Sequence, residues 1–322
     1  MMNAACDRRK FITLIGGVAA VWPLAARAQQ DRLPVVGILR PIPKDTDQFA
    51  EPFRHYMRAI GWEDGRNVRL WAEGQNERAP ALAKKLVAQN VDLIMAFGDP
   101  TIRAAQRATE ANPIVGMTDD MVGSGLAASM ARPGSNTTGV SILSPELDVK
   151  RLEILHEFVP QARRIAVLAD PSTSARAQLA SAARDLGVEL LVFEVQNPAE
   201  IGGPLDAIVA ARVEAVQVLA SPQLNAARHV IIERTRTARL PTIYQFPESV
   251  AEGGLLSYGA RVLLCYRQLV TLVDKVLRGA KPSDLPIEQP FKFELAVNLK
   301  TAIAIGMTIS PTLLLRADEV IE

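Results

Sequence analysis

The 322-residue chain is 48% hydrophobic and only 5% aromatic, with 36 basic against 35 acidic residues and a formal charge of +1. Beyond Arg8-Arg9-Lys10 near its N-terminus it has no Lys/Arg run longer than two residues, and its charges nearly balance, which argues against a nucleic-acid partner. Its length permits two lobes with cores of their own, or one large α/β domain.

The N-terminus reads as an export signal. Arg8-Arg9-Lys10 precedes a short apolar run over 11–20, and Ala26-Arg27-Ala28 supplies small residues at cleavage positions. The run holds Gly16 and Gly17 and is too short for a comfortable membrane span. The twin arginine followed by Lys10, Phe11 and Ile12 matches the Tat route, which exports folded proteins. Cleavage after about Ala28 removes Arg8, Arg9, Lys10, Arg27 and Asp7, so the formal charge moves from +1 to −2. It also removes Cys6 and leaves Cys265, so the mature chain has no intrachain disulfide. Cys6 precedes the apolar run, which argues against a lipid anchor. The expected mature protein is soluble and periplasmic, with no direct membrane anchor.

Short Val/Ile/Leu runs then alternate with helix-period segments. Strands are expected at 35–39, 68–72, 91–97, 113–117 and 138–143, with helices at 48–60, 79–89, 101–110 and 122–131. A second series follows. Helices at 145–158, 175–186, 199–211 and 225–238 alternate with strands at 165–169, 188–195, 215–219 and 241–245. The remainder reads as a strand at 255–258, a long helix at 262–277, a strand at 291–297 and a helix at 299–305. Repeated βα alternation implies parallel sheets with helices on both faces. Two series imply two similar lobes, and the tail is expected to cross between them as several hinge segments.

No enzyme motif stands out. His55, His156 and His229 fall inside helical patterns, and the chain lacks G-x-S-x-G, H-E-x-x-H, C-x-x-C and the phosphate-loop lysine. Cys265 lies in an apolar stretch, where a buried inert thiol is expected.

Three strand-to-helix turns carry a binding reading: Phe97-Gly98-Asp99-Pro100-Thr101, Ala169-Asp170-Pro171-Ser172-Thr173-Ser174 and Ala220-Ser221-Pro222-Gln223. In open parallel sheets ligands sit beyond the carboxyl ends of the strands, where helix N-termini offer unpaired N–H groups. The same turns are also ordinary capping grammar, Asp or Ser as N-cap and Pro at the first helical position. Arg40, Asp119, Asp120, Tyr244, Gln245 and Tyr258 stand at equivalent strand ends. A tyrosine there can equally pack with a wetted hydroxyl, and Arg40 can pair with Asp45 or Asp47 on the surface.

Several stretches together resemble a known group. They are RRKFITLIGG at 8–17, WPLAARAQQ at 22–30, GRNV at 65–68, ARPGSNTTGV at 131–140, GGLLSYG at 253–259, LPIEQPFKFEL at 285–295 and NLKTA at 298–302. The chain thereby resembles ABC-transporter substrate-binding proteins of the tryptophan/tyrosine-type (TrpX-like) family, over nearly its whole length. That resemblance implies a type I periplasmic-binding fold with two Rossmann-like lobes, three hinge crossings and a ligand enclosed between them. The expected lobes are 29–142 plus 260–288, and 143–259 plus 289–322. It implies an inner-membrane ABC permease and its ATPase as partners, no cofactor or metal, and a monomeric receptor for an aromatic or other amino acid or a related organic acid. Arg40, Phe97, Gly98, Asp99 and Asp119 would line the cleft from the first lobe. Ser172, Thr173, Ser174, Ser221, Tyr244 and Tyr258 would do so from the second lobe and hinge. The alternatives are a ligand-sensing partner of a membrane sensor and an exported enzyme.

Overall fold

Alternate residues along the apolar strands face opposite layers of helices, and both faces are buried. In a computed structural model that describes residues 32–40, 50–74, 78–171 and 176–322, every residue of β1 (Val35–Arg40) and β3 (Leu93–Phe97) is buried. The expected export segment, and Ser172, Thr173 and Ser174, lie outside the described residues.

The first sheet adds β2 (Arg69–Gly74), β4 (Ile114–Thr118) and β5 (Thr137–Ser141), in the order β2-β1-β3-β4-β5. All its pairings are parallel. Helices α1 (Ala50–Ala59), α2 (Ala79–Ala88) and α3 (Asp99–Ala108) belong to this series. One face packs Val36, Ile38, Leu93, Met95 and Phe97 in one core cluster. The other packs Val35, Leu39, Ile94 and Ala96, as a side-chain period of two requires.

The second series runs α4 (Ser144–Phe158), β6 (Arg164–Ala169), α5 (Arg176–Leu186), β7 (Glu189–Glu194), α6 (Gly202–Ala210) and β8 (Ala215–Val218). It continues with α7 (Pro222–Ala226), α8 (Arg228–Thr237), β9 (Thr242–Tyr244), α9 (Pro247–Ala251) and β10 (Leu256–Gly259). Then come α10 (Val262–Leu277), β11 (Glu294–Asn298), α11 (Leu299–Ala304), α12 (Pro311–Arg316) and β12 (Glu319–Ile321). The second sheet has the order β12-β11-β10-β9-β8-β6-β7. Its pairings are parallel except β10 with β11. Helix α10 returns to the first sheet, where Leu269, Val270 and Val273 join the cluster of Phe97.

Two differences from the sequence reading have local causes. Residues 122–131 form turns, not a helix: Asp120 Oδ1 accepts the N–H groups of Val122 (3.1 Å) and Gly123 (2.8 Å), and Gly125 has φ +67°. Their apolar side chains still pack on the first core, which is why the spacing mimicked a helix. The helix expected at 225–238 is broken at Ala227 into α7 and α8, and the Arg228 guanidinium folds back on the carbonyl of Asn225 at 3.0 Å. The short elements α9, α12 and β12 were not anticipated.

The chain passes between the two sheets three times. The first passage joins β5 to α4 through Ile142 and Leu143, and Leu143 is left-handed (φ +56°, ψ +36°), which costs roughly 1–2 kcal/mol. The second joins β10 to α10 through Ala260 and Arg261. The third leaves the first sheet at Glu288, which bridges Val140, and enters the second at Glu294.

Candidate ligand cleft

Turns at the carboxyl ends of strands from both sheets meet, that of Gly98 after β3 against that of Pro222 after β8. On the first lobe, Arg40 ends β1 at 6% exposure, its guanidinium 6.0 Å from the centre of the Phe97 ring. Burial pulls its pKa below the ordinary value, while arginine stays protonated. Phe97 ends β3 with its ring centre 5.6 Å from that of Tyr266, tilted by 38°. Tyr266 lies on α10, and burial raises its phenol far above the ordinary range.

Gly98 is the N-cap of α3, with φ +81° and ψ +154°. Only glycine holds that conformation without strain. A Cβ placed on Gly98 would stand 3.4 Å from Cγ of Pro222, on the opposite lobe, so the two turns are in contact. The expected cap was Asp99, but Asp99 occupies the first helical position and Pro100 the second. There the carboxylate faces the positive end of the helix dipole, and it accepts the hydroxyl proton of Thr118 from the end of β4. Thr101 Oγ1 donates to the carbonyl of Phe97 at 2.7 Å. The half-buried Asp119 follows Thr118, and its carbonyl accepts from Ser141 Oγ at 3.4 Å.

On the second lobe, Ser221 is the N-cap of α7 as its sequence suggests, accepting the N–H groups of Gln223 (3.1 Å) and Leu224 (3.4 Å). Its hydroxyl donates to Oδ2 of the buried Asp170 at 3.1 Å, which ties the ends of β8 and β6 together. Ser221→Ala is expected to cost about 1–2 kcal/mol through the lost cap, read from the urea midpoint; a smaller loss would show that the backbone alone holds the turn. Ala220 and Phe246 of this lobe pack into the same apolar cluster as Phe97 and Tyr266. Both lobes therefore contribute aromatic side chains to one buried cluster beside the contact of Gly98 with Pro222. Tyr266 and Phe246 were not singled out from the sequence: Tyr266 follows the α10 apolar stripe, and Phe246 lies one residue beyond the expected strand.

Two expected cleft residues are placed otherwise. Tyr244 is 1% exposed in the core between the second sheet and α8, with its hydroxyl 3.3 Å from Thr235 Oγ1. Its phenol points to the helix layer because an even step along β9 turns it there. The Tyr258 side chain packs against the opposite core of that lobe, and its carbonyl accepts Arg151 Nε at 2.7 Å.

Charged groups gather at the hinge. Arg151 and Asp148, both on α4 and both buried, form an ion pair, and Gln217 of β8 donates to the Asp148 carbonyl at 2.8 Å. Burial raises the Asp148 carboxyl to about 6 against the opposing pull of Arg151. Arg261, just before α10, pairs with Glu294 (2.6 Å) and with Glu319. The Glu248 carboxylate of α9 accepts the N–H of Leu263 at 3.4 Å in the first turn of α10, and burial raises its pKa. Cys265 is buried in the same turn, and burial pushes its thiol up to about 12.

Among the described residues no group of His, Cys, Asp and Glu is placed to hold a metal ion. Nor is any of their helices long and apolar enough to cross a membrane. A family model described as ABC transporter substrate binding protein matches residues 36–321, both lobes and all three passages.

The chain belongs to the ABC transporter substrate-binding protein family.

Within this family of binding proteins, it is similar to a tyrosine-binding protein of Clostridioides difficile, at 26% identity over 271 residues, 81% of this chain and 77% of that one. Among solved structures, a Vibrio cholerae conserved domain protein superposes with a TM-score of 0.79 at 23% identity, over 90% of this chain and 100% of that one. A Streptococcus pneumoniae ABC domain in complex with L-Trp superposes at 0.78 with 22% identity and the same coverages. These likenesses establish the type I periplasmic-binding fold, two α/β lobes of mainly parallel sheets joined by several passages.

Proposed function

We propose that this substrate-binding protein is the periplasmic receptor of an ABC importer. It closes lobes 29–142 plus 260–288 and 143–259 plus 289–322 on a small organic ligand of the aromatic amino-acid kind, then presents it to the permease and its ATPase. Export with cleavage near Ala28 places it in the periplasm. The observation that carries this reading is the meeting of the two lobes at Gly98 and Pro222, beside the Phe97–Tyr266 ring pair. The tyrosine-binding relative and the L-Trp complex support the aromatic class. Mechanism is hinge closure, in which a ligand contacting both walls shifts the open–closed equilibrium.

The test is thermal unfolding of the mature protein against amino acids, aromatic acids and purines. A true ligand at 100 times its Kd stabilises the fold by about 2.7 kcal/mol. Phe97→Leu keeps apolar volume but removes the ring, and is expected to weaken that ligand roughly three- to tenfold. A panel without any stabilising compound, together with turnover of one of them, would replace the receptor with an enzyme.

A further inference from the structure

The buried ion pair of α4 stands where all three passages enter the second lobe. Asp148 lies in the second turn of α4, just after the first passage. Arg151 Nε donates to the carbonyl of Tyr258 at 2.7 Å, and a Cβ on Gly259 would stand 3.5 Å from Arg151 Nη2. Tyr258 and Gly259 end β10 just before the second passage. Their register partners Leu295 and Glu294 begin β11 just after the third. One guanidinium thus holds the junction of the three passages with the second sheet.

Two acceptors at this point lack a donor. Among the described residues, Asp148 Oδ2 and Gln217 Oε1 are enclosed without a hydrogen-bond partner. Gln217 is fully buried, and its amide nitrogen already serves the Asp148 carbonyl at 2.8 Å, so turning the amide over would set oxygen against oxygen. A buried acceptor without a donor costs roughly 1–3 kcal/mol. A carboxylate only accepts, whereas a carboxylic acid carries an O–H. A proton on Asp148 therefore supplies the donor that the cluster lacks, and it removes the anion that holds Arg151. Burial, opposed by Arg151, already raises the Asp148 carboxyl to about 6.

The surroundings of α4 leave this balance to the pair. β8 presents Gln217, and β9, β10 and α5 present Ile243, Tyr258, Leu179 and Ala183 to the shared apolar core. Arg184 and Asp185 of α5 are exposed. Glu146, exposed on α4 itself, adds a like charge that favours protonation of Asp148.

We propose that Asp148 and Arg151 form a proton-operated hinge lock. With Asp148 ionised, the guanidinium clamps the junction of the passages. With Asp148 neutral, it loses its counterion and the lobes swing more freely. The sign follows from Arg151, whose charge opposes protonation only while it is in place. The released hinge therefore binds the proton more tightly, and acid favours release. The lock rests on the hinge closure proposed above and on no particular ligand.

Spin labels on Lys84→Cys of α2 and Ser181→Cys of α5, both exposed, report the distance between the lobes of the mature protein without ligand, while Cys265 stays buried. The distance distribution is expected to be narrow at about pH 8 and to broaden toward about pH 5, with a midpoint no lower than about 6. Asp148→Asn is expected to give the broad distribution at both pH values. So is Arg151→Lys, which keeps a cation but withdraws the bond to the Tyr258 carbonyl. Glu146→Gln is expected to keep the wild-type transition. A wild-type distribution equal at both pH values, a narrow distribution in Asp148→Asn or Arg151→Lys at about pH 8, or loss of the transition in Glu146→Gln overturns the lock. If the lock fails while a compound of the panel stabilises the fold and narrows the distance, the receptor reading stands. A compound that stabilises the fold without changing the distance removes hinge closure and the lock with it.

Discussion

Arg151→Met is expected to lower the unfolding free energy by about 3–5 kcal/mol at neutral pH, because it leaves the Asp148 charge buried without its cation. Asp148 and Arg151 are an ion pair inside α4, at 0% and 1% exposure. The loss exceeds that of a surface ion pair because the dry surroundings raise the cost of an isolated carboxylate. Its pH dependence separates charge from packing. The folded-state pKa of Asp148, about 6, lies above its ordinary 3.8. The folded chain therefore binds this proton more readily than the unfolded chain does. Stability from this group is fully present below the unfolded value and is lost as pH rises through about 6. Below that range Asp148 is protonated in wild type and variant alike, so the deficit should shrink between neutral pH and pH near 5. Urea unfolding at both pH values checks this. A deficit that is equal at both would assign the loss to the Arg151 contact with the Tyr258 carbonyl and to apolar packing of its stem.

Gly139→Ala is expected to cost at least about 3 kcal/mol, since the new methyl collides with backbone that has nowhere to go. A Cβ on Gly139 would lie 1.8 Å from the carbonyl oxygen of Gly116, its register partner in the β4–β5 pair. Accommodating it means separating those two strands at the sheet edge next to the first and third passages. Gly202→Ala is the control: nothing lies within 4 Å of that position, at the start of α6, and its effect should stay within about 1 kcal/mol of zero. Equal midpoints for the two variants would show that β5 is free to shift outward.

The strands were the most legible part of the chain, because runs such as 35–39, 93–97 and 165–169 are apolar on both faces and leave no other burial scheme. Single-residue grammar was legible where it acts locally: Ser221 caps its helix with its own side chain. It misled where backbone geometry took over. At the Phe97 turn the φ of Gly98 makes glycine the cap and moves Asp99 one place into the helix. Tyr244 shows the limit of reading strand ends: a strand end says that a residue is near the cleft, while side-chain parity decides whether it faces it. Tyr266 shows the converse. On α10 it is one more apolar-stripe residue, and only the return of that helix to the first sheet brings it against Phe97, 169 positions earlier in the chain. The Arg261 pairs with Glu294 and Glu319 were invisible for the same reason, since they join hinge segments distant in sequence.

The contact between Gly98 and Pro222 joins two groups with little room to yield. One is a backbone held in a conformation reserved for glycine, and the other is a rigid ring at the head of a helix. Under the hinge closure proposed above, this contact would act as a stiff stop that fixes how near the two turns can come. A stop of that kind would discriminate ligands by thickness, separately from their polar groups.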